Sequence, residues 1–178
     1  MAKLRFATVW LDGCSGCHMS FLDMDERLID LASKVEVVCS PYVDAKEFPQ
    51  NVDLTIVEGA VSSEEDLEKL RKVRKNSKIV LALGDCGVTG NVSAMRNLVG
   101  VEAALKCAYD ELSDDNKGAR PNREVPKQLE RVSALHEWET IDCFLPGCPP
   151  PADAIYHILS SLIEGKEYDI FNYTRFGK

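Results

Sequence analysis

Ile79-Val80-Leu81-Ala82-Leu83 is an unbroken apolar run that empties directly into a glycine. A strand with one wet face alternates apolar and polar residues, whereas a run like this must be covered on both faces, as in the centre of a parallel sheet. Other short β-rich runs alternate along the chain with helical patterns, the arrangement of a parallel sheet wound with helices on both sides. The expected fold class is therefore α/β with a doubly wound parallel sheet. At 178 residues and 45% hydrophobic content, the chain suits a single domain spanning 1–178 around one core system.

The spacing predicts a first strand over Leu4–Leu11, then a helix opened by Ser20 with Asp23 completing a capping box and Leu22, Ile29 and Ala32 facing inward. Val35–Tyr42 reads as a second strand and Asp53–Val57 as a third, running into Glu58-Gly59. Ser62 is expected to cap a helix supported by the Glu65→Lys69 and Glu68→Lys72 pairs, with Leu67, Leu70 and Val73 as its buried stripe. Lys78–Leu83 is the fourth strand and Thr140–Leu145 the fifth, with helical segments expected over Ser93–Leu98 and Val101–Leu112. Pro151 suits the first turn of a last helix whose Ile155, Ile158, Leu159 and Leu162 face the sheet, and Gly165 stops it. The polar, breaker-rich stretch 113–127 is expected to be an exposed loop, and 166–178 a C-terminal tail.

The chain carries seven cysteines, an odd number, so a disulfide framework alone would leave one unpaired. Four of them fall just past predicted strands: Cys14 and Cys17 after the first, Cys86 after the fourth, Cys148 after the fifth. Carboxyl ends of parallel strands line one edge of the sheet, where ligands bind at the reversal of strand order. Four thiolates gathered there suit a compact four-iron core, each iron taking one sulfur. Gly13, Gly16, Gly84, Gly87 and Gly147 flank the cysteines and allow backbone to pack against a bulky group, while Pro149 and Pro150 stiffen the last turn.

Other chemistries fit parts of the pattern. Cys14 and Cys17 sit between a strand and a helix N-terminus, which lowers a thiol pKa and suits a thiol–disulfide oxidoreductase. That reading leaves Cys86 and Cys148 unused. A structural zinc site accepts four thiolates, although two of the four stand alone rather than in short pairs. Flavin binding is the third, since this architecture can place a nucleotide at the same edge, but no Ser/Thr-rich phosphate loop follows the first strand.

Cys39 and Cys143 lie within strands and Cys107 beside Leu105 and Ala108 on a helix, so all three are expected to be buried and structural. Glu58 closes the third strand at the cysteine edge, where a carboxylate relays protons or orients backbone donors. His18 is expected to pack beside the cysteines rather than ligate, His136 to lie in a solvated loop and His157 on a helix face.

A net charge of −8 argues against nucleic acid or a polybasic membrane anchor, both of which need clustered Lys and Arg. No stretch approaches the roughly 20 apolar residues of a membrane span. The start Met1-Ala2-Lys3-Leu4-Arg5 shows neither a signal peptide nor a twin-arginine leader. The expected location is cytoplasmic, with proteins or small molecules as partners.

Cys14-Ser15-Gly16-Cys17, Val57-Glu58-Gly59, Gly84-Asp85-Cys86 with Gly90, and Gly147-Cys148-Pro149-Pro150 occur in this order over roughly Leu4–Leu162. Together they resemble the proximal-cluster motifs of the nickel-iron hydrogenase small subunit, in particular the short kind of the NAD-linked bidirectional enzymes. The resemblance implies a flavodoxin-like domain in which Cys14, Cys17, Cys86 and Cys148 bind one 4Fe-4S cluster. It implies an obligate large subunit carrying the nickel-iron centre, a diaphorase module carrying flavin and NAD, and a chain that is not catalytic alone. The relay would run between that centre and the diaphorase, with the large-subunit interface around residues 12–20, 58–60, 84–91 and 146–150. Many family members continue into a second domain with further cluster ligands, whereas this chain ends 30 residues after Cys148 with no further cysteine, so one cluster is expected. The family often has two adjacent glycines after the third cysteine, and here Gly90 is followed by Asn91. The related respiratory complex I subunit carries adjacent cysteines where this chain has Cys14-Ser15-Gly16-Cys17.

Overall fold

The computed structural model describes residues 3–45, 47–114 and 118–174. Residues 115–117 of the expected loop and 175–178 of the expected tail lie outside them.

The unbroken apolar run becomes a central strand. In chain order the elements are β1 (Leu4–Trp10), α1 (Gly16–Leu22), α2 (Arg27–Lys34), β2 (Val35–Cys39), β3 (Val52–Glu58), β4 (Val61–Ser63), α3 (Glu64–Asn76), β5 (Ser77–Leu83), α4 (Asp85–Thr89), α5 (Val101–Leu105), β6 (Gln128–Ser133), β7 (Cys143–Leu145) and α6 (Ala152–Ile163). Five strands form one sheet in the order β2-β1-β3-β5-β7, with every pairing parallel. Setting aside short β4 and β6, this is the 2-1-3-4-5 order of flavodoxin-like folds.

Neighbouring residues on each strand feed two cores. Ile56, Leu81 and Leu83 face Met24, Leu31, Ile155, Ile158 and Leu159, whereas Val57, Val80 and Ala82 face Leu67, Leu70, Val73 and Leu135. Ile155, Ile158 and Leu159 are almost fully buried, each burial stabilising by about 1.5–3 kcal/mol.

Several expectations are corrected. One helix opened by Ser20 is two: α1 begins at Gly16 after Ser15 turns into the left-handed region at φ 65°, and α2 restarts at Arg27. Ser20 makes no capping box, because its hydroxyl donates to the Pro150 carbonyl instead at 2.6 Å. The restart shifts the inward stripe to Phe21, Met24, Leu28 and Leu31, leaving Leu22, Ala32 and, at 74% exposure, Ile29 in solvent. The cap of α3 is Ser63 rather than Ser62, in a capping box with Asp66.

β2 stops at Cys39, where Ser40 takes a hydrogen bond from the Thr8 hydroxyl. β7 starts only at Cys143, since the Asp142 carboxylate accepts the Val80 N–H in place of a ladder bond. The expected helix over 101–112 changes at Lys106 into a wider π turn running to Glu111. That change carries Cys107 to the exposed side, so it is not the buried residue expected. Cys143 is buried and Cys39 half-buried. The antiparallel pair β4–β6 was not foreseen; β4 is three residues long, and its partner follows the breaker-rich stretch. Among the described residues no helix is long and apolar enough to cross a membrane.

Candidate functional site

A short helix leaves its first-turn N–H groups without intrahelical acceptors. At the start of α1 those groups belong to Cys17 and His18, and the Glu58 carboxylate at the end of β3 receives both. The Cys17 N–H donates to Oε1 at 3.3 Å and the His18 N–H to Oε2 at 2.8 Å. His18 Nδ1 lies 2.5 Å from the same Oε2. Both side chains are out of solvent, at 0% and 3% exposure. The imidazole meets Trp10 and Tyr42 edge-on, with centroids 5.4 and 5.9 Å away. His18 is thus a packed neighbour of the cysteines, and Glu58 is the splint on which their turn is built.

The other two cysteine segments are laced to each other. Gly84 N–H donates to the Leu145 carbonyl at 2.8 Å and Asp85 N–H to the Gly147 carbonyl at 2.9 Å. In return, the Gly147 N–H donates to the Asp85 carboxylate at 2.7 Å. The Ser20–Pro150 bond joins this pair of loops to α1. Gly84 has a φ of +82°, and a Cβ there would fall 2.2 Å from Cys17 Sγ. Only a residue without a side chain lets β5 deliver Cys86 while leaving room for the Cys17 thiol.

Cys14 and Cys148 are exposed, Cys86 is half-buried and Cys17 is buried. Burial, the Glu58 carboxylate and the other three thiols all push the Cys17 thiol up. Cys86 is likewise raised by burial, with smaller contributions from Cys14 and Cys148, and pulled back by N–H bonds from Val92 and Ser93. The four sequence-predicted cysteines are therefore brought into one electrostatic neighbourhood, as are Glu58 and His18. Negative charge on the neighbouring sulfurs disfavours the Cys17 and Cys86 thiolates, and a shared cationic group would offset that repulsion. Among the described residues, no three His, Cys, Asp or Glu side chains converge as a single metal ion requires; zinc would need its thiolates about 2.3 Å from one point. The donor set, the glycine clearance and the amide donors fit a larger multi-iron group.

Cys39 and Cys143 stay within their strands, His136 packs edge-on to Phe144, and His157 stacks on Tyr173 on the outer side of α6. None joins the cysteine edge. Sequence reasoning missed the donors that follow α4, where Asn91 Nδ2 lies 3.4 Å from Cys148 Sγ. The signal available was an asparagine directly after a glycine, both suited to left-handed backbone.

Residues 14–162 match the family model described as NADH ubiquinone oxidoreductase, 20 Kd subunit. The chain is 40% identical over 172 residues to the NAD-reducing hydrogenase HoxS subunit delta of Cupriavidus necator, covering 94% of this chain and 82% of that one. It is 34% identical to a subunit of the vhu F420-non-reducing hydrogenase of Methanocaldococcus jannaschii, over 92% of this chain but 57% of the relative. The chain thus spans most of the first relative and little more than half of the second. Among solved structures, an NAD+-reducing [NiFe]-hydrogenase in the H2-reduced state contains a chain that superposes with a TM-score of 0.93 at 37% identity, covering 98% of this chain and 99% of that one.

Proposed function

The chain belongs to the NADH ubiquinone oxidoreductase, 20 Kd subunit family, and from that premise we propose that it is the electron-transfer small subunit of an NAD(P)-linked nickel-iron hydrogenase. Cys14, Cys17, Cys86 and Cys148 hold one 4Fe-4S cluster in this reading. When bound, that group supplies a one-electron relay between the nickel-iron site of a large subunit and a diaphorase module carrying flavin and NAD(P). Relatives named as subunits of hydrogenases support the assignment, and the observation that carries it is the placement of the four cysteines just past the carboxyl ends of β1, β5 and β7 in one parallel sheet.

The chain's own residues do the positioning. Glu58 fixes the Cys14–Cys17 turn through two backbone N–H groups, and holds His18, whose Nε2 is buried without a hydrogen-bond partner among the described residues. A proton-relay role for Glu58 belongs to the same reading, with His18 Nδ1 2.5 Å from its Oε2 as the neighbouring titratable group. The Asp85–Gly147 lacing fixes the spacing of Cys86 and Cys148. The exposed thiols, Cys14 and Cys148, mark the side from which partner subunits approach, at an interface around residues 12–20, 58–60, 84–91 and 146–150.

Iron, acid-labile sulfide and zinc per chain, measured after anaerobic purification with whatever co-purifies, test the proposal. About four irons and four sulfides with a dithionite-bleached visible band are expected, falling sharply in Cys86→Ser. Zinc, or no metal, would overturn it.

A further inference from the structure

Resting on the ligand reading above, we propose that Asn91 is a positioning residue that raises the redox potential of the bound cluster by donating an N–H···S hydrogen bond to Cys148. The contact is direct, with Nδ2 3.4 Å from Sγ. The side chain also leaves the backbone at a fixed point. Gly90 and Asn91 are consecutive left-handed residues, at φ 84° and 34°, and a Cβ on Gly90 would stand 2.9 Å from that of Ala94. Position 90 therefore takes only glycine, while asparagine is among the few residues with a side chain that adopt left-handed backbone readily. The reversal is closed by the Gly90 N–H to the Cys86 carbonyl at 2.9 Å and the Ala94 N–H to the Gly90 and Asn91 carbonyls at 3.0 and 3.2 Å.

The residues that follow continue the same task. The Ser93 hydroxyl donates to the Asp12 carbonyl at 3.0 Å. The loop that aims the Asn91 amide at the Cys148 sulfur is thus anchored to the segment bearing Cys14.

Reduction adds one electron to the thiolate-held group, with no bond formed or broken and no proton taken up. The added negative charge spreads onto the sulfurs, and an N–H pointed at a sulfur stabilises the reduced state more than the oxidised one. Removing the donor must therefore lower the potential.

The experiment is an EPR-monitored potential titration of the anaerobically purified wild type, Asn91→Gly and Asn91→Asp, each with iron and sulfide determined. Glycine keeps the left-handed backbone and deletes the donor. Aspartate keeps the shape and turns a carboxylate toward the sulfur. With iron and sulfide unchanged, the reduced-to-oxidised ratio at fixed potential should fall by up to about tenfold in Asn91→Gly, equivalent to 59 mV for a one-electron couple, and further in Asn91→Asp. An unchanged potential in a fully loaded Asn91→Gly overturns the proposal. So does loss of the cluster in that variant, which would make Asn91 a fold residue rather than a tuning one. Absence of iron and sulfide from the wild type would overturn instead the ligand reading on which the proposal rests.

Discussion

The two ends of the central sheet use charge differently. At the amino end, the Asp53 carboxylate accepts the Arg5 N–H at 2.8 Å and the Lys78 ammonium at 2.6 Å, and the Lys78 side chain is 73% exposed. At the carboxyl end, Glu58 is buried and receives two backbone N–H groups and an imidazole. Both carboxylates bridge sequence-distant segments, yet Asp53 is partly open to water, at 21% exposure with an exposed lysine partner, whereas Glu58 is away from it. A polar group in water is screened and replaceable, because solvent takes over its hydrogen bonds. A buried group cannot be replaced that way, since the groups it leaves behind stay unsatisfied. The sheet is pinned at one end by interchangeable contacts and at the other by contacts specific to the cysteine turn.

The sharpest test is Glu58→Ala, which strands the Cys17 and His18 amides and the His18 ring in a dry site. A loss of about 3–5 kcal/mol in urea unfolding is expected, with Glu58→Gln milder because it keeps an acceptor. A smaller loss, about 1–3 kcal/mol, is expected for Gly84→Ala, whose Cβ would collide with Cys17 Sγ; chemical denaturation and iron content should fall together. Smallest is Asp53→Asn. Its lysine hydrogen bond, and then its bond from the Arg5 amide, hold the Asp53 carboxyl below its ordinary value of 3.8. A depressed folded-state pKa contributes stability that is present above that ordinary value and lost as pH falls toward the folded one. Asp53→Asn should therefore flatten the acid limb of the stability–pH curve below about pH 4, by a small loss at neutrality that disappears as pH falls and wild-type Asp53 is protonated too. If Asp53→Asn at neutral pH cost as much as Glu58→Ala, the contrast between the two ends would collapse.

The sequence carried the parallel sheet and the cysteine edge because both depend on local signals. An unbroken apolar run can be buried only on both faces, and a cysteine or glycine just past a strand lands on a known edge. It did not carry the break between α1 and α2, because Asp25 enters the left-handed region at φ 50° without being glycine and so gives no breaker signal. It placed the α3 cap one residue early because Ser62 and Ser63 both bond Asp66, and only geometry distinguishes them. The β4–β6 pair and the Asn91–Cys148 contact depend on segments far apart in the chain, which no local periodicity encodes. Glu58 and His18 were seen as neighbours of the cysteines, but their bond to each other is tertiary and invisible in sequence.

The lacing of the last cysteine loop to Gly84, Asp85 and Ser20 also sets a clock. A ribosome adds roughly 5–20 residues per second, and Cys148 follows Cys17 by 131 residues. Cys86 comes 69 residues after Cys17, so for on the order of ten seconds the nascent chain displays two and then three thiols of a set whose last member and holding bonds have yet to be made. Iron delivered in that interval would meet a partial grip. Cofactor insertion must wait until Cys148 has been made and its loop laced to Gly84, Asp85 and Ser20, so the last cysteine loop, and not the first pair of thiols, decides when the site can be filled.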